Sequence, residues 1–495
     1  MSAKPPAKSL KPGGAPARRG SSRTTGTREA RGARGAAYDL LHSVAADNAY
    51  ANLAMPGILE KARLSDRDAA FATELAYGTL RWRGLYDAIL AQCVDGSIDR
   101  LDPRVLDVLR LGVHQLVSLG TPPHAAVGET VTLARQVVGD APSRLVNAVL
   151  RRVAEGGDLP RWRDRVAPGY TTGDLAVAWS HPRWIVSALK EALATHPPDP
   201  AIANDVTADL IALLSADNDP ARPTLVAKPG LFSPDELLQL PQVRPGRWSP
   251  LAGELMTGKP ADLECVSGGL VGVQDEGSQL VALALANAPI EGPDRQWVDL
   301  AAGPGGKAAV LVGLAGLLGA HVTAIEPHAH RAQLVRDSLR RFPPADYSVV
   351  VADGRDALPP GSADRVLVDA PCTGLGALRR RPEARWRRTP DDLATLGPLQ
   401  RDLLRSALTI VRPGGVVAYA TCSPHLAETD HVIADVLAER DDVMQIDARA
   451  VLPEVSHLGN GPAVRLWTHV HQTDGMFLAL MKRRDPTSRS EHIHR

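Results

Sequence analysis

The stretch WVDLAAGPGGK, residues 297–307, decides the fold that we predict for this chain. Its first four residues are typical of the end of a buried strand, and the small residues after them predict a glycine-rich turn. An apolar pattern typical of a helix resumes from Ala308 to Leu318. A strand that runs through glycines into a helix is the first unit of a doubly wound α/β nucleotide site, because the glycines let the backbone approach a ligand and the next helix points its N–H groups at it.

This turn alone is a weak signal, because many glycine-rich turns between a strand and a helix are only tight connections. The spacing is neither GxGxxG nor GxxxxGK[ST]. No Ser or Thr follows Lys307 to bind magnesium, which argues against a P-loop. The interpretation therefore depends on what lies downstream.

Strands and helices alternate over residues 296–483. Helices of about 10–15 residues separate the candidate strands, and this period favours a mostly parallel sheet with helices on both faces. The strands are predicted at residues 297–300, 321–325, 348–352, 365–368, 416–420 and 476–481. We therefore predict a Rossmann-like α/β domain over residues 266–485.

Five polar or sulfur-containing side chains follow the ends of these strands: Glu326, Asp353, Asp369, Cys372 and Cys422. Each has an ordinary explanation, since an acid after a strand is often a helix cap and a cysteine is often a small buried side chain. The carboxyl ends of the strands line the ligand crevice of such sheets. Five matching positions therefore predict one cleft, in which Glu326 is placed to bind ribose hydroxyls and Asp353 an adenine amino group.

The first half of the chain has a different pattern. Residues 1–36 carry nine basic residues against one acid, and we expect them to be disordered, either as a solvated tail or as a cationic arm that meets phosphates. Apolar residues at helical spacing predict an all-α domain over residues 37–155. A small α+β connector is expected over 156–265, with a linker at 160–168. A long helix is expected at 271–286, and a polar tail with incidental histidines at 486–495.

Composition restricts the class of protein. The chain has 495 residues, 44% of them apolar, and four cysteines with no CxxC spacing, so several globular domains without a disulfide framework or a bound metal are expected. No apolar run approaches the ~20 residues that span a bilayer, and the N-terminus lacks the apolar core of a signal peptide. We therefore expect a cytoplasmic protein without a membrane partner, and a monomer.

Four motifs give the chain a family resemblance. LAAGPGGKA (300–308), DAPCTG (369–374), ATCS (420–423) and the lead-in QDEGSQLVA (274–282) resemble those of the S-adenosylmethionine-dependent RNA cytosine-5 methyltransferases. LAYGTLRWR (75–83) and RLVNAVLRR (144–152) resemble a NusB-like RNA-binding domain. Together they are most similar to the bacterial 16S rRNA branch, the Sun/RsmB-like (NOL1/NOP2/Sun) proteins. Ala301 stands where the family usually has Cys, and Gly303 where it usually has Ala.

The resemblance implies a role for each residue. Cys422 would be the thiolate that adds to C6 of cytosine, because C5 is a poor nucleophile until the ring becomes an enamine. Asp369 would hold the N3 edge of the base, and Cys372 would assist proton removal from C5 and release of the adduct. The S-adenosyl-L-methionine would be held by a set of positions that share the cleft: Ala301, Ala302, Gly303, Pro304, Gly305, Gly306, Lys307, Glu326, Asp353 and Asp369.

The expected partner is RNA, either 16S rRNA or a 30S assembly intermediate. Two alternatives stay open, namely the same chemistry on a tRNA and a non-catalytic RNA-binding or ribosome assembly factor. The arginine run LRRRPEARWRR (378–388) is interpreted as a guide for the RNA backbone, or else as a solvated basic helix. The same two interpretations apply to a set of arginines in the helical domain: Arg81, Arg83, Arg151 and Arg152.

Overall fold

A computed structural model of the chain describes residues 32–198 and 205–484. The first part of the chain is helical. Its α-helices are α1 Gly32–Ala46, α2 Ala51–Ala62, α3 Asp66–Arg81, α4 Arg83–Cys93, α5 Pro103–Val113, α6 Pro123–Val138 and α7 Asp140–Glu155. A 3-10 turn, Ile98–Arg100, precedes α5, and a π-helical turn, His114–Ser118, follows it. The predicted all-α domain is confirmed.

Helix α5 shows how the sequence builds this part. Asp102 caps the helix by accepting a hydrogen bond from the backbone N–H of Arg104 at 2.9 Å, and Pro103 occupies the first turn, where its missing N–H costs nothing. Val108 and Leu109 are fully buried. Burial of such a side chain contributes about 1.5–3 kcal/mol, so the apolar face rather than helix propensity holds α5 in place.

The start of α1 differs from our prediction. The helix begins at Gly32, whereas residues 32–36 were assigned to the disordered tail. Ala36 and Ala37 are buried against the helical core, so these small residues pack where a low count of large apolar side chains suggested a tail. Residues 1–31 lie outside the described residues.

The middle part contains short helices around a small sheet. The helices are α8 Leu159–Val166, α9 Thr172–Ala178, α10 Arg183–Thr195, α11 Val206–Ala216, α12 Pro234–Leu238 and α13 Glu264–Ser267, with a 3-10 turn Pro260–Asp262. The strands are β1 Thr224–Ala227, β2 Val243–Pro245, β3 Ala252–Leu255 and β4 Val271–Val273. They pair antiparallel in the order β2-β3-β1-β4, so the predicted α+β character is confirmed.

The last part is the α/β domain. Its helices are α14 Glu276–Asn287, α15 Gly306–Leu317, α16 Ala329–Leu339, α17 Ala384–Arg387, α18 Asp391–Ile410, α19 Asp430–Ala438 and α20 Thr468–His471, with 3-10 turns Leu375–Ala377, Leu426–Glu428 and Ala448–Val451. Its strands are β5 Gln296–Asp299, β6 His321–Ile325, β7 Tyr347–Val350, β8 Ala363–Asp369, β9 Val411–Thr421, β10 Val443–Ile446, β11 Val464–Leu466 and β12 Met476–Arg483.

These strands form one sheet in the order β10-β12-β9-β8-β5-β6-β7, with β11 paired to β12. Strands β5 to β9 run parallel, and β12 enters antiparallel beside β9. The Rossmann-like α/β fold is confirmed, and all six predicted strands exist. Strands β10 and β11 were not predicted; both join the sheet by pairing with β12, a contact that the sequence does not show.

Two other predictions are wrong. The linker expected at residues 160–168 contains helix α8, which Asp158 caps and in which Trp162 is buried. The long helix expected at 271–286 begins only at Glu276, because Val271–Val273 pairs with β1 as strand β4. Asp275 separates the two elements and caps α14 by accepting from the N–H of Gly277 at 2.9 Å. None of the helices in the described residues is long and apolar enough to cross a membrane.

Candidate active site

The parallel strands bring three of the predicted site residues, together with Asp299, which was not predicted, to one edge of the sheet. Asp299 ends β5, Asp369 ends β8, Glu326 directly follows β6 and Cys422 directly follows β9. Strands β5, β8 and β9 are adjacent, as are β5 and β6, so the four side chains belong to one crevice at the carboxyl ends of the strands. The convergence expected from the sequence therefore has a structural basis.

The turn between β5 and α15 wraps closely around the crevice. Ala302 donates its N–H to the carbonyl of Ile325 at 2.9 Å, and Gly305 has a φ of +108°. A Cβ on Gly303 would lie 2.3 Å from Oε2 of Glu326. Glycine at 303 therefore leaves room for the Glu326 carboxylate to lie against the turn. Pro304 and Gly306 complete the connection into α15.

Glu326 is 1% exposed and is held by two neighbours. Its Oε1 accepts the backbone N–H of His328 at 3.0 Å, and its Oε2 lies 3.5 Å from Nη1 of Arg331. Nη2 of Arg331 also donates to the carbonyl of Gly303 at 2.7 Å. Arg331 therefore ties the acid to the glycine turn. The sequence analysis did not predict a role for Arg331. In the sequence, only its position close after Glu326 distinguishes it from Arg336, the other arginine of α16.

Asp353 lies three residues beyond β7 and is partly exposed. It forms a bidentate pair with Arg355, in which Nε is 3.0 Å from Oδ1 and Nη2 is 2.7 Å from Oδ2. The hydrogen bonds from Arg355 lower the pKa of Asp353. In this arrangement Arg355 already occupies both carboxylate oxygens.

Lys307 and Asp369 form an ion pair between α15 and β8. Nζ of Lys307 is 2.8 Å from Oδ2 of Asp369 and 3.3 Å from Oγ of Ser278. Burial opposes the charge of Lys307, but the Asp369 carboxylate outweighs it and raises the pKa of the amine. The pair places a fixed cation beside the cysteines.

The two cysteines meet at the centre of the site. Sγ of Cys372 and Sγ of Cys422 are 3.4 Å apart, and both residues are partly exposed. The hydrogen bond from Cys372 lowers the pKa of Cys422, and Lys307 acts in the same direction. The same hydrogen bond, together with burial, raises the pKa of Cys372 well above the usual thiol value. Of the two thiols, Cys422 is therefore the one that these surroundings favour for ionisation.

Asp299 is a buried acid that the sequence analysis did not include in the site. Its Oδ1 accepts the N–H of Ala301 at 3.3 Å, while its Oδ2 is buried without a hydrogen-bond partner. Burial, and then the nearby charge of Asp369, raise the pKa of Asp299 to about 7. The available signal was an acid at the last position of a strand directly before the glycine turn.

Glu428 is a second buried acid that was missed. It is fully buried in the turn Leu426–Glu428, and its carboxylate accepts from the backbone N–H of Thr373 at 2.8 Å. The sequence gives no signal for it, because an acid in a short turn after ATCS looks like any solvated loop residue.

The arginine run 378–388 does not form the free RNA-facing surface that we expected, nor a solvated basic helix. Arg379 and Arg380 both bind the carboxylates of Asp275 and Asp474, at 2.6–3.1 Å. Arg385 is 0% exposed and donates to oxygens of Ser180, Asn218 and Asp217.

The next arginines of the run are also engaged. Arg387 donates to the carbonyls of Val44 and Ala49 in the helical part, and Arg388 to that of Thr373. Most of the run is thus engaged within the protein, where it joins the parts of the chain.

The four arginines of the helical domain that we considered as RNA contacts differ in exposure and in partners. Arg81 is buried, so it is not available to RNA. Arg152 pairs with Asp95 at 3.0 Å, and Arg83 lies over the ring of Trp386. Arg151 is exposed.

In the described residues no cluster of three His, Cys, Asp or Glu side chains has the geometry to hold a metal ion.

Comparison with known proteins adds to this geometry. Residues 284–482 match the family described as 16S rRNA methyltransferase RsmB/F, and residues 31–155 match the NusB family. A putative methyltransferase of Mycobacterium tuberculosis is 47% identical over 91% of this chain and 96% of its own length. The ribosomal RNA small subunit methyltransferase B of Pseudomonas putida is 32% identical over 83% of this chain and 90% of its own.

Among solved structures, the crystal structure of PH0851 has a similar fold. It superimposes with a TM-score of 0.72 at 22% identity, and the match covers 92% of this chain and 99% of that one. At this identity the match supports the fold alone, with helical part, connector and α/β domain in this order over the matched residues.

Proposed function

The chain belongs to the RsmB/F family of 16S rRNA methyltransferases, with a NusB-like domain in front, and from this premise we propose that it methylates C5 of a cytidine in 16S rRNA through a covalent adduct on Cys422. Family membership makes it an S-adenosylmethionine-dependent RNA methyltransferase. The choice of C5, the adduct and the roles of individual residues are the proposal. The observation that carries it is the 3.4 Å approach of the two sulfur atoms beside the Lys307–Asp369 ion pair.

The glycine turn and its neighbours fit the methyl donor. Gly303 and Gly305 keep the backbone free of side chains along the crevice, and Glu326 lies buried beside the turn as an acceptor for ribose hydroxyls. The unpartnered Oδ2 of Asp299 can accept from a donor group of the bound ligand.

We assign the cofactor to the positions 301–307, Glu326, Asp353 and Asp369, as the resemblance implied. Asp353 would reach an adenine amino group only by giving up part of its pair with Arg355. When bound, S-adenosylmethionine supplies an electrophilic methyl group that C5 of the adduct accepts.

Cys422 starts the chemistry. Its sulfur forms a bond to C6, the C5–C6 π electrons shift to C4–C5 and the C4–N3 π electrons to N3, so that the ring becomes an enamine with a nucleophilic C5. A thiolate is required, and the hydrogen bond from Cys372 and the charge of Lys307 both lower the pKa of Cys422. The base must lie outside a stacked helix for the sulfur to reach C6.

Asp369 and Cys372 serve the remaining steps. Asp369 holds the N3 edge of the cytosine while Lys307 balances its charge. After methylation, Cys372 takes the proton from C5 and passes its own proton to the Cys422 sulfur; the electrons of the C5–H bond re-form the C5–C6 double bond, and the electron pair of the breaking C6–S bond stays on sulfur. Cys372 assists this release as the hydrogen-bond partner of the departing Cys422 sulfur.

The rRNA substrate is inferred from the family and from relatives such as that of Pseudomonas putida, whose name specifies the small ribosomal subunit. The NusB-like domain would supply RNA binding, and a 30S assembly intermediate is as suitable a partner as naked 16S rRNA. We infer that the enzyme acts as a monomer.

The test compares 5-methylcytidine in total RNA from strains with the wild-type chain, a deletion, and Cys422→Ala. We expect one or more 16S rRNA positions to lose the mark in the deletion and to stay unmodified with Cys422→Ala. Cys265→Ala is the matched control, since Cys265 lies on α13, away from the crevice, and should restore the mark. Loss of the mark from a tRNA instead, or full methylation by Cys422→Ala, would refute the assignment.

A further inference from the structure

A buried carboxylate lies behind the two cysteines. Glu428 is fully buried, and its oxygens accept from the backbone N–H of Thr373 at 2.8 Å, from Oγ1 of Thr373, and from Nε2 of Gln400 at 3.1 Å. Within the described residues no Lys, Arg or His lies at ion-pair distance from it; its direct partners are these hydrogen bonds, and His425 is the nearby titratable group that interacts with its charge. A buried carboxylate without a cation is costly and therefore needs an explanation.

The hydrogen bonds around Glu428 hold residues that are next to Cys372 and Cys422 in the sequence. Gln400 also donates from Nε2 to the carbonyl of Pro371 at 2.8 Å, so the residues on both sides of Cys372 are tied to this network. Oγ1 of Thr373 lies 3.2 Å from Oγ of Ser423, the residue after Cys422. One acid thus connects the loop that follows β8 with the loop that follows β9.

We propose that Glu428 is a positioning residue for methyl transfer: its carboxylate fixes the two cysteine loops against each other, and its charge keeps the proton on Cys372, so that Cys422 is the thiolate. This inference rests on the proposed function. Glu428 does not touch the cysteine sulfurs in the structure, and it acts through Thr373, Gln400 and its charge.

The charge argument follows from the surroundings of the pair. A negative charge buried beside Cys372 opposes loss of the thiol proton, and it acts together with the hydrogen bond to Cys422 and with burial, which raise the pKa of Cys372 most. The other titratable or charged groups that face the pair come from several elements: Lys307, Asp369, Arg388, Tyr419 and Asp474. Of these, Lys307 favours the thiolate at Cys422, and Asp369 and Asp474 oppose it.

The experiment is the isosteric change Glu428→Gln in the full chain. It keeps the shape of the side chain and the acceptor for Thr373 N–H but removes the charge. The rate at which iodoacetamide alkylates Cys422 and Cys372 is followed for each cysteine by mass spectrometry as the pH is varied. We expect the midpoint of Cys422 to rise and that of Cys372 to fall, each by about one pH unit, so that Cys422 reacts about tenfold more slowly near neutral pH.

Turnover gives a second readout. We expect kcat for RNA methylation to fall ~10- to 100-fold, with KM for RNA and Kd for S-adenosylmethionine close to wild type, because neither binding surface contains Glu428. Glu439→Gln is the matched control, since Glu439 is an exposed glutamate of the same domain that pairs with Arg405. It should leave both thiol midpoints and kcat unchanged.

Unchanged thiol midpoints and kcat in a folded Glu428→Gln protein would overturn the inference. Should that variant not fold, Thr373→Val removes one hydrogen bond to the carboxylate without removing the charge. It should shift the midpoints in the same direction by a smaller amount, and wild-type midpoints there would also overturn the inference. The alkylation needs no RNA, so failure of this inference is distinguishable from failure of the proposed function, which the comparison of 5-methylcytidine between strains tests.

Discussion

Cys372 and Cys422 are identical in covalent chemistry, yet the structure gives them opposite tendencies to ionise. Their sulfur atoms share one hydrogen bond at 3.4 Å, and the surrounding charges decide which of them carries the proton. That hydrogen bond has the largest effect on both pKa values; Lys307 then lowers the pKa of Cys422 and Glu428 raises that of Cys372, while Asp369 raises both. The sequence motifs identified both cysteines, but the division of labour between them came from the family resemblance. The structure supplies a physical reason for it.

The buried carboxyl of Asp299 should make the stability of the protein depend on pH. Because its pKa rises from 3.8 to about 7 on folding, the native state binds more protons than the unfolded state between these values, and stability falls as the pH rises from about 4 to about 7. In Asp299→Asn this loss disappears. We expect the variant to gain roughly 1–4 kcal/mol relative to wild type between pH 4 and pH 8.

Thermal unfolding of both proteins without cofactor, at the two pH values, measures this difference. The control is Asp353→Asn, because the pKa of Asp353 is lowered on folding and its removal should cost stability at the higher pH. The same change in melting temperature for Asp299→Asn at both pH values would contradict the buried, proton-binding carboxyl.

The turn between β5 and α15 makes a prediction at the scale of one element. A Cβ added in Gly303→Ala would lie 2.3 Å from Oε2 of Glu326 and 3.1 Å from the guanidinium of Arg331, so the carboxylate or the turn must move. Overpacking of this kind costs about 1–3 kcal/mol. We expect Kd for S-adenosylmethionine to rise roughly tenfold, measured by calorimetry.

Gly128→Ala is the matched control, because the Cβ would meet nothing within 4 Å in helix α6. It should leave the affinity unchanged. The family usually has alanine at the position of Gly303. An unaltered Kd for S-adenosylmethionine in Gly303→Ala would mean that the Glu326 carboxylate moves away from the added Cβ without weakening cofactor binding.

Helix α17 makes the second prediction at this scale. Arg385 is buried, and it donates to oxygens of Ser180 and Asn218 at 3.0 and 2.8 Å. Burial lowers the pKa of Arg385 to about 9, so the charged guanidinium relies on these hydrogen bonds for its stability. Arg385→Met leaves those acceptors buried and unpaired, and we expect a loss of about 3–5 kcal/mol in the free energy of unfolding.

Denaturant unfolding of Arg385→Met and of Arg381→Met provides the comparison. Arg381 belongs to the same run of arginines but is exposed, so its replacement should change the stability by less than about 0.5 kcal/mol. Equal stabilities of the two variants would show that the run is a surface feature, as the sequence suggested.

The elements that the sequence predicted well share one property. Strands such as β8 contain an apolar run that ends at a polar residue, here Asp369, and this pattern is visible without any tertiary contact. The predictions that failed depend on contacts between distant segments. The arginine run looks like an RNA-binding surface until Asp275 and Asp474 neutralise two of its members. Strand β4 looks like the start of a helix until β1 pairs with it.

At the scale of the whole molecule, the loop that carries Cys372 continues into the segment that binds the other parts. Arg380 reaches Asp275, which caps α14, while Arg387 reaches carbonyls at the end of α1 and beyond it. Glu383 also accepts the N–H of Ala51 at the start of α2. The loop that carries Cys372 and the NusB-like helical domain are thus physically connected, and the sequence did not reveal this connection because the partners are hundreds of residues apart.

The sequence predicted the residues of the candidate site more completely than the contacts between the parts of the chain. Motif positions at strand ends identified Glu326, Asp369, Cys372 and Cys422, since the topology of a parallel sheet determines where strand ends meet. The buried acids Asp299 and Glu428 were not identified, because burial of a carboxylate is a property of the folded molecule. Their roles, like those of the cysteines, stay proposals until they are measured.

The measurement that tests the central claim most directly is covalent trapping of RNA. Cys372→Ala, Cys422→Ala and the double variant are incubated with 16S rRNA and S-adenosylmethionine and run on a denaturing gel that separates free protein from protein–RNA adduct. We predict an adduct with Cys372→Ala alone, because Cys422 still forms the bond to C6 while its release is slowed. An adduct that persists when Cys422 is replaced, or no adduct with Cys372→Ala, would contradict the assignment of Cys422 as the nucleophile and Cys372 as the residue that assists release.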